Sequence, residues 1–520
     1  MGKPFFRFRL RLVSYFVLVA ILCMFSCHEG FRGPTEADLS EFGTFVYDLD
    51  TAKLEHQMTQ LLAADTSHYL ADQVVRKRYA EIKRFEEAPL WFTRMGVSSD
   101  ADSLLAFLRR EVTHCGLDTA AFWLPQIAED LFVVRHLAFD SLGVDINELL
   151  PRLEYNLSRA FVRYSTGQRY GFVRPDKIFN HLDFKSYGDG YARLFGEEVK
   201  APDYEASLNE LQGRSRMDFI YSSQPTNPLF RKLQQRLETS TDTAERRKLA
   251  INLERLRWQM KRPDEPRFVL VNLPSQELWA ISPDTMLNMR ICCGTTITKT
   301  PLLHSAISTI DVNPDWIIPQ SIVKNEIARH SGDSAYFARH RYYISDRSSG
   351  TRLNPRAVSS AQLESGRLRV GQRGGAGNSL GRIVFRFPND YAVYLHDTNN
   401  RGAFRRDRRT LSHGCVRVEK PFELACFLMP EADEWTLDRL RISIDMKPET
   451  ERGLNYLTEH AEESKPYRLM RQQSVSPRVP VYIIYYTAYP NPATGSIDLW
   501  PDIYGYDKVI AQEMKSFLIQ

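Results

Sequence analysis

The stretch LSHGCVRVEKP, Leu411–Pro421, sets His413, Gly414, Cys415 and Arg417 almost side by side. The chain holds only 7 Cys in 520 residues, so a Cys beside a histidine and a flexible glycine calls for a reason. Two readings compete. Cys415 is either a reactive thiol or a small buried hydrophobe, the commoner fate of an unpaired Cys. The reactive reading means nucleophilic acyl transfer. A free thiol has a pKa of about 8.5 and is only partly ionised at neutral pH. A nearby imidazole can take its proton and later return one to a leaving amine. Gly414 lets the backbone turn so that the N–H groups of Gly414 and Cys415 face a developing oxyanion, each such donor being worth about 3 kcal/mol. Arg417 offers a fork for a substrate carboxylate. Taken singly, Arg417 reads equally well as a surface charge, and the nearest upstream histidine, His396, as a core residue.

Strands must bring these groups together. In YAVYLHDT, Tyr391–Thr398, alternation puts Tyr391, Val393 and Leu395 on one face and Ala392, Tyr394 and His396 on the other, with His396 about 7 Å along from Tyr394. In CVRV, Cys415–Val418, an extended backbone puts Cys415 and Arg417 on one face. Cys415, His396, Tyr394 and Arg417 then line one groove, provided the two strands are neighbours. Other β-rich runs are RFVLVNL (Arg267–Leu273) and ELWAI (Glu277–Ile281), which form a hairpin, RIVFRF (Arg382–Phe387) and VPVYIIYYTAY (Val479–Tyr489). Strands spread over about 250 residues suggest a sandwich or barrel. Between them the polar stretch Lys324–Gly381 is too long for a plain loop and reads as a lid or inserted subdomain.

From about Ala37 to Arg262 the pattern is helical instead. DSLLAFLRREV and INELLPRLEYNLSRAFVRYS carry helical apolar spacing. So does DTAERRKLAINLERLRWQMKR, with Asp242 and Glu245 as a capping box, Leu249, Leu253, Leu256 and Met260 on one face, and Pro263 as its stop. This half reads as scaffold. The fold class is α+β and multidomain.

The length exceeds one ordinary core. With 43% hydrophobic and 25% charged residues the chain is ordinary globular protein. A net charge of +4 speaks against nucleic-acid binding, which needs a concentrated basic face. Lys3, Arg7, Arg9 and Arg11 precede an apolar run, Leu12–Phe25, too short to span a membrane comfortably. Residues 1–27 read as a secretory signal, and Ser26-Cys27 resembles a bacterial lipobox, which makes Cys27 the candidate for lipidation. The remaining Cys residues are odd in number, with no disulfide framework and no metal-type CxxC pair. Cys292, Cys293 and Cys426 read as packing.

His396 followed by SHGCVRV, Ser412–Val418, resembles the active-site signature of L,D-transpeptidases with a YkuD-like catalytic domain. The resemblance extends to FVLVNLPSQELW, Thr300-Pro301, NPDWIIPQSIVKNEI (Asn313–Ile327), GNSLGRIVFRFPNDYAVYLHDTNNRGAF (Gly377–Phe404) and PDIYGYD (Pro501–Asp507). INLERLRW (Ile251–Trp258) is similar to the helix before this domain in the large Gram-negative type. The resemblance implies a helical scaffold domain over 37–262 and a mainly-β catalytic domain over 266–510 with a substrate-capping insert at 324–381. It implies Cys415 as nucleophile and His396 as general base, oriented by Asp397 or its carbonyl. His413 and Gly414 would shape the oxyanion site. Arg417, Tyr394, Trp316, Asp397 and Ser412 would contact substrate. One departure stands out: there is no room for the small peptidoglycan-binding domain that large members often carry.

The implied reaction joins peptidoglycan stem peptides by 3→3 crosslinks with loss of D-Ala and needs no metal or organic cofactor. The implied protein is an exported, periplasmic lipoprotein, anchored through its N-terminal lipid, and a monomer. Its thiol would be acylated by carbapenems. The basic loop Arg401–Arg409 reads as a solvated charge run, with a role toward stem carboxylates as the alternative. Rival outcomes for the same thioester are hydrolysis, as in an L,D-carboxypeptidase or endopeptidase, and attachment of a protein amine. A catalytically idle wall-binding lipoprotein is the reading outside enzymes.

Overall fold

The computed structural model describes residues 46–82, 89–182, 193–261, 263–462 and 468–519. The signal segment and Cys27 lie outside them. The chain folds as two compact units. One takes the chain up to Thr113 with Leu117–Gln168 and Pro202–Gln224, and the other takes His114–Gly116, Arg169–Ala201 and the chain from Pro225 onward.

The first unit is built on helices. Ser99–His114 and Ile146–Tyr170 cover the two runs that show helical spacing. In the longer helix Leu149, Leu150, Leu153, Leu157 and Phe161 are buried, as the period requires. Glu154 is buried with them and is the polar hub of this unit. Its carboxylate accepts from the Tyr79 hydroxyl at 2.5 Å and from the N–H groups of Leu90 and Trp91 at 2.7 and 3.0 Å. Burial pushes its pKa up, and these donors pull it back. Glu154→Ala strands the Leu90 and Trp91 N–H groups, while the Tyr79 hydroxyl keeps Ser158 at 2.9 Å, and is expected to destabilise this unit by about 3 kcal/mol, measurable as a shifted urea midpoint.

The second unit starts with helices and ends in a barrel. Helix Thr243–Arg257 is capped by Asp242, whose side chain accepts from the Ala244 N–H at 2.8 Å. The reciprocal half of the expected capping box is missing, because Glu245 accepts from Arg236 Nε at 2.6 Å instead. The helix ends before Pro263 is reached: Gln259 takes φ +51°, so Met260 falls past the helical face. This helix groups with the barrel rather than with the helical unit, so the expected boundary at 262 does not separate the compact units. Asn252 explains why. Its side chain accepts from the Thr487 N–H at 3.0 Å and donates to the Thr487 hydroxyl at 2.8 Å.

Eight strands close a ring in the order Met286–Gly294, Val416–Val418, Leu395–His396, Ile383–Arg386, Leu303–Val312, Gln472–Ile484, Phe268–Asn272 and Glu277–Ile281, the last pairing back onto the first. A ninth, Thr410–Ser412, lies parallel to Met286–Gly294. The expected hairpin is present, with Phe268 opposite Ile281 and Asn272 opposite Glu277. Closure removes the sheet edges that a sandwich would leave.

The insert has a core of its own. Trp316–Ile317, Leu368–Gln372, Tyr342–Asp346 and Arg352–Leu353 form an antiparallel sheet in that order. Ile322, Val323, Ile327, Phe337, Ile344, Leu363 and Val370 pack beneath it. The expected start at Lys324 therefore falls inside the insert, because Trp316 already pairs with Gln372. Nearly all the arginines that make this stretch look polar are exposed, although Ser345 and Gly371 are buried in its strands, and its apolar residues are spaced too irregularly to show a period.

Candidate active site

The strands that carry the two reactive groups are neighbours. Leu395–His396 runs parallel to Val416–Val418, with Leu395 opposite Val416 and His396 opposite Arg417. The alternation expected over Tyr391–Thr398 holds only at its end. Asn389 folds the first half into a loop: its Oδ1 accepts from the N–H groups of Tyr391 and Val393, and Nδ2 donates to the carbonyls of Phe387 and Val393. Ala392 takes φ +53° there. Tyr394 and His396 nevertheless meet edge to face, with ring centroids 5.7 Å apart.

Cys415 ends a tight turn between Thr410–Ser412 and Val416–Val418. Gly414 takes φ +113°, a conformation that side chains disfavour. The Ser412 hydroxyl accepts from the Gly414 N–H at 3.1 Å and donates to the Cys415 carbonyl at 2.5 Å. Ser412 is thus buried and braces the turn, and the Gly414 N–H is already taken. This leaves the Cys415 N–H as the backbone donor suited to an oxyanion. Two threonines that sequence reasoning gave no role hold the turn from outside. Thr298 donates to the Ser412 carbonyl at 2.9 Å and Thr300 to the Gly414 carbonyl at 2.8 Å. The signal was the threonine-rich run TTITKTP at a strand end.

The sulfur faces the Ala392 carbonyl at 3.8 Å. Burial pushes the Cys415 thiol up, and hydrogen bonds from the Tyr394 N–H and hydroxyl, with Arg386 and Arg417, pull it back. Tyr394 is pushed up by its own burial and by the sulfur, and it is hydrogen-bonded to the Trp316 indole. Trp316, Tyr394 and Cys415 therefore form one chain of contacts. His396 is buried, and desolvation with the Arg417 charge pushes its pKa down to about 3, opposed by the backbone at Asp397 and Leu380. Its Nδ1 makes no hydrogen bond of good geometry. Among the described residues no hydrogen bond joins the imidazole to the sulfur. Catalytic hydrogen bonds often tighten only when substrate is bound.

Two of the expected site residues have their polar groups engaged elsewhere. The Asp397 carboxylate accepts from the Arg382 N–H at 2.8 Å and from Arg401 at 3.0 Å, so it anchors two loops, and only its backbone acts on His396. Gly381 is needed for that approach, since a Cβ there would meet Asp397 at 2.4 Å. His413 points outward, and its Nε2 meets the Glu326 carboxylate at 2.8 Å. In the basic loop Arg409 is buried, donating to the carbonyls of Ile291, Arg406 and Gln276, so the loop is partly structural and not simply solvated. Cys292 and Cys293 are buried in their strand, and Cys426 is partly buried.

Arg417 is half-buried. Burial lowers its pKa, and the Cys415 and Cys292 sulfurs raise it. Its Nε is buried without a partner, an unused donor beside the nucleophile.

Residues 266–442 match the YkuD family, described as the L,D-transpeptidase catalytic domain, and residues 73–237 match a scaffold domain. A Haemophilus influenzae protein named "Putative L,D-transpeptidase" is 34% identical over 366 residues, covering 68% of this chain and 69% of that one. The chain belongs to the L,D-transpeptidase family. It is an acyl-transfer enzyme by that membership. A crystal structure of Mycobacterium tuberculosis L,D-transpeptidase 1 is 10% identical with a TM-score of 0.18, over 42% of this chain and 61% of that chain. This likeness is too low to bear on the fold. In this transpeptidase the catalytic match ends at 442, yet strand Gln472–Ile484 is needed to close the barrel. No described helix is long and apolar enough to cross a membrane.

Arg417→Gln is expected to lower kcat/KM about 10- to 100-fold, mainly through KM, the loss of a charged hydrogen bond to a carboxylate. Steady-state kinetics with a tetrapeptide donor would show it.

Proposed function

We propose that this protein forms 3→3 crosslinks between peptidoglycan stem peptides. The observation that carries the reading is the register of His396 opposite Arg417, which sets an imidazole beside a guanidinium whose Nε is buried without a partner, on the strand that begins just after Cys415. The Cys415 sulfur attacks the carbonyl of the third stem residue, a diamino acid, in a tetrapeptide donor. His396 takes the thiol proton and passes it to the departing D-Ala amine as the C–N bond breaks. The thioester is then attacked by the side-chain amine of a second stem, which forms the new amide and frees the thiol. The Cys415 N–H holds the oxyanion in both halves. Arg417 holds a stem carboxylate, and Tyr394 and Trp316 wall the groove. The same thioester chemistry makes Cys415 the site of carbapenem acylation. Export to the periplasm by residues 1–27, with a lipid on Cys27, places the enzyme at its substrate.

The test is to incubate the protein with purified disaccharide-tetrapeptide and read products by mass spectrometry. A crosslinked dimer lacking one D-Ala supports the reading. Tripeptide alone would mean that water is the acceptor and the enzyme is a carboxypeptidase.

A further inference from the structure

The insert touches the catalytic turn close to the nucleophile. Glu326 reaches His413, two residues before Cys415, at 2.8 Å. Glu326 lies in Val323–Ile327, a single π-helical turn. Such turns widen a helix by one residue and are common at functional sites. Val323 and Ile327 on either side of it are buried in the insert's own core. The turn therefore pins Glu326 from beneath and presents its carboxylate outward.

The contact is built for easy breakage. Both side chains are 50% exposed, and half-exposed pairs are weak. The neck of the insert is firmer. The Asn313 N–H donates to the Arg382 carbonyl at 2.7 Å, Arg382 Nε donates back to Asn313 at 2.6 Å, and the Gly374 N–H donates to Asp315 at 2.8 Å. A firm neck with a weak contact at the far side is the arrangement of a flap that opens at one edge.

We propose that Glu326 is a positioning residue that latches the insert over Cys415 by holding His413, so that the latch must release for donor and acceptor stems to enter and re-form for acyl transfer. The latch rests on the transpeptidase reading for its purpose but not for its existence.

The test uses the full chain with Glu326→Gln and Glu326→Asp. Cys415 alkylation by iodoacetamide is followed against pH, alongside crosslinking kinetics. Removing a negative charge near a thiol shifts its apparent pKa, whereas opening a flap raises the high-pH rate of the thiolate itself. Glu326→Asp keeps the charge but shortens the reach. A latch predicts that both variants raise the plateau rate by about 2- to 5-fold, the range of a half-exposed pair, with the apparent pKa of the Asp variant unmoved. It also predicts a fall in kcat/KM for crosslinking by a similar factor in both. The proposal is overturned if the Asp variant behaves as wild type, or if the Gln variant shifts only the apparent pKa. A raised plateau in a protein that makes no crosslinks would sink the transpeptidase reading and leave the latch standing.

Discussion

Cys415→Ala is expected to abolish acyl transfer, by about 10⁴-fold or more, with the fold unchanged. The sulfur makes only a long contact to the Ala392 carbonyl and bonds to Tyr394, so its removal disturbs little packing. The turn around it is held by Ser412, Thr298 and Thr300, whose bonds go to backbone atoms that alanine retains. The thermal midpoint should therefore stay within about 2 °C of wild type. Cys415→Ser should be nearly as inactive. A hydroxyl needs a stronger base than a thiol does, and the His396 imidazole, with its pKa pushed down to about 3, is a weak one. Intact-mass spectrometry after mixing with donor peptide checks both: wild type gains an acyl adduct and neither variant does. Turnover in the alanine variant within ten-fold of wild type would place the nucleophile elsewhere.

How far the sequence reached differs between the barrel and the site. The hairpin at Phe268–Ile281 was legible because both strands are apolar and the turn between them is short. The strand Leu303–Val312 was not. Its buried residues Leu303, Ile307, Ile310 and Val312 keep no strict alternation, with His304, Ser305, Ser308 and Thr309 between them, a composition that reads as loop. It nevertheless sits at the centre of the ring, between Ile383–Arg386 and Gln472–Ile484, where pairing on both edges outweighs weak propensity. The helix Thr243–Arg257 shows another limit. Its period marked Leu249, Leu253 and Leu256, but Asn252, Glu254, Arg255 and Arg257 are buried as well. Burial on every side has no periodicity to read.

At the site, residue types and spacing identified Cys415, His396, Tyr394 and Arg417 as one group, and the strand register brings them together. The errors concern which atoms are free. Ser412, Gly414 and Asp397 sit in or beside the motif, yet their polar groups are committed to the turn and its neighbouring loops. A motif reports proximity along the chain, whereas hydrogen-bond commitment depends on what approaches from elsewhere. Glu326, 87 residues from His413, was invisible for the same reason.

The pH behaviour of His396 should be as distinctive as its loss. His396→Ala removes the general base and is expected to slow acylation by about 10²- to 10⁴-fold. In wild type the imidazole is neutral well below its ordinary range, because burial and the Arg417 charge both oppose protonation. Burial meanwhile raises the Cys415 thiol. Across neutral pH the pair is thiol and imidazole rather than thiolate and imidazolium. Iodoacetamide, which needs the thiolate, should then react at a rate that rises steadily with pH from 6 through 9, with no step near the ordinary histidine pKa. A step there would mean that the two groups titrate as an ion pair. Stability carries the same sign. Above pH about 6.5 neither folded nor unfolded His396 binds the proton. Between about 6.5 and 3 only the unfolded chain does, so the folded state loses about 1.4 kcal/mol per pH unit over that window. His396→Ala should lose its activity yet unfold less readily in acid, relative to its own stability at neutral pH, than wild type does. Urea midpoints at pH 7 and pH 5 for both proteins would show whether the difference has that direction.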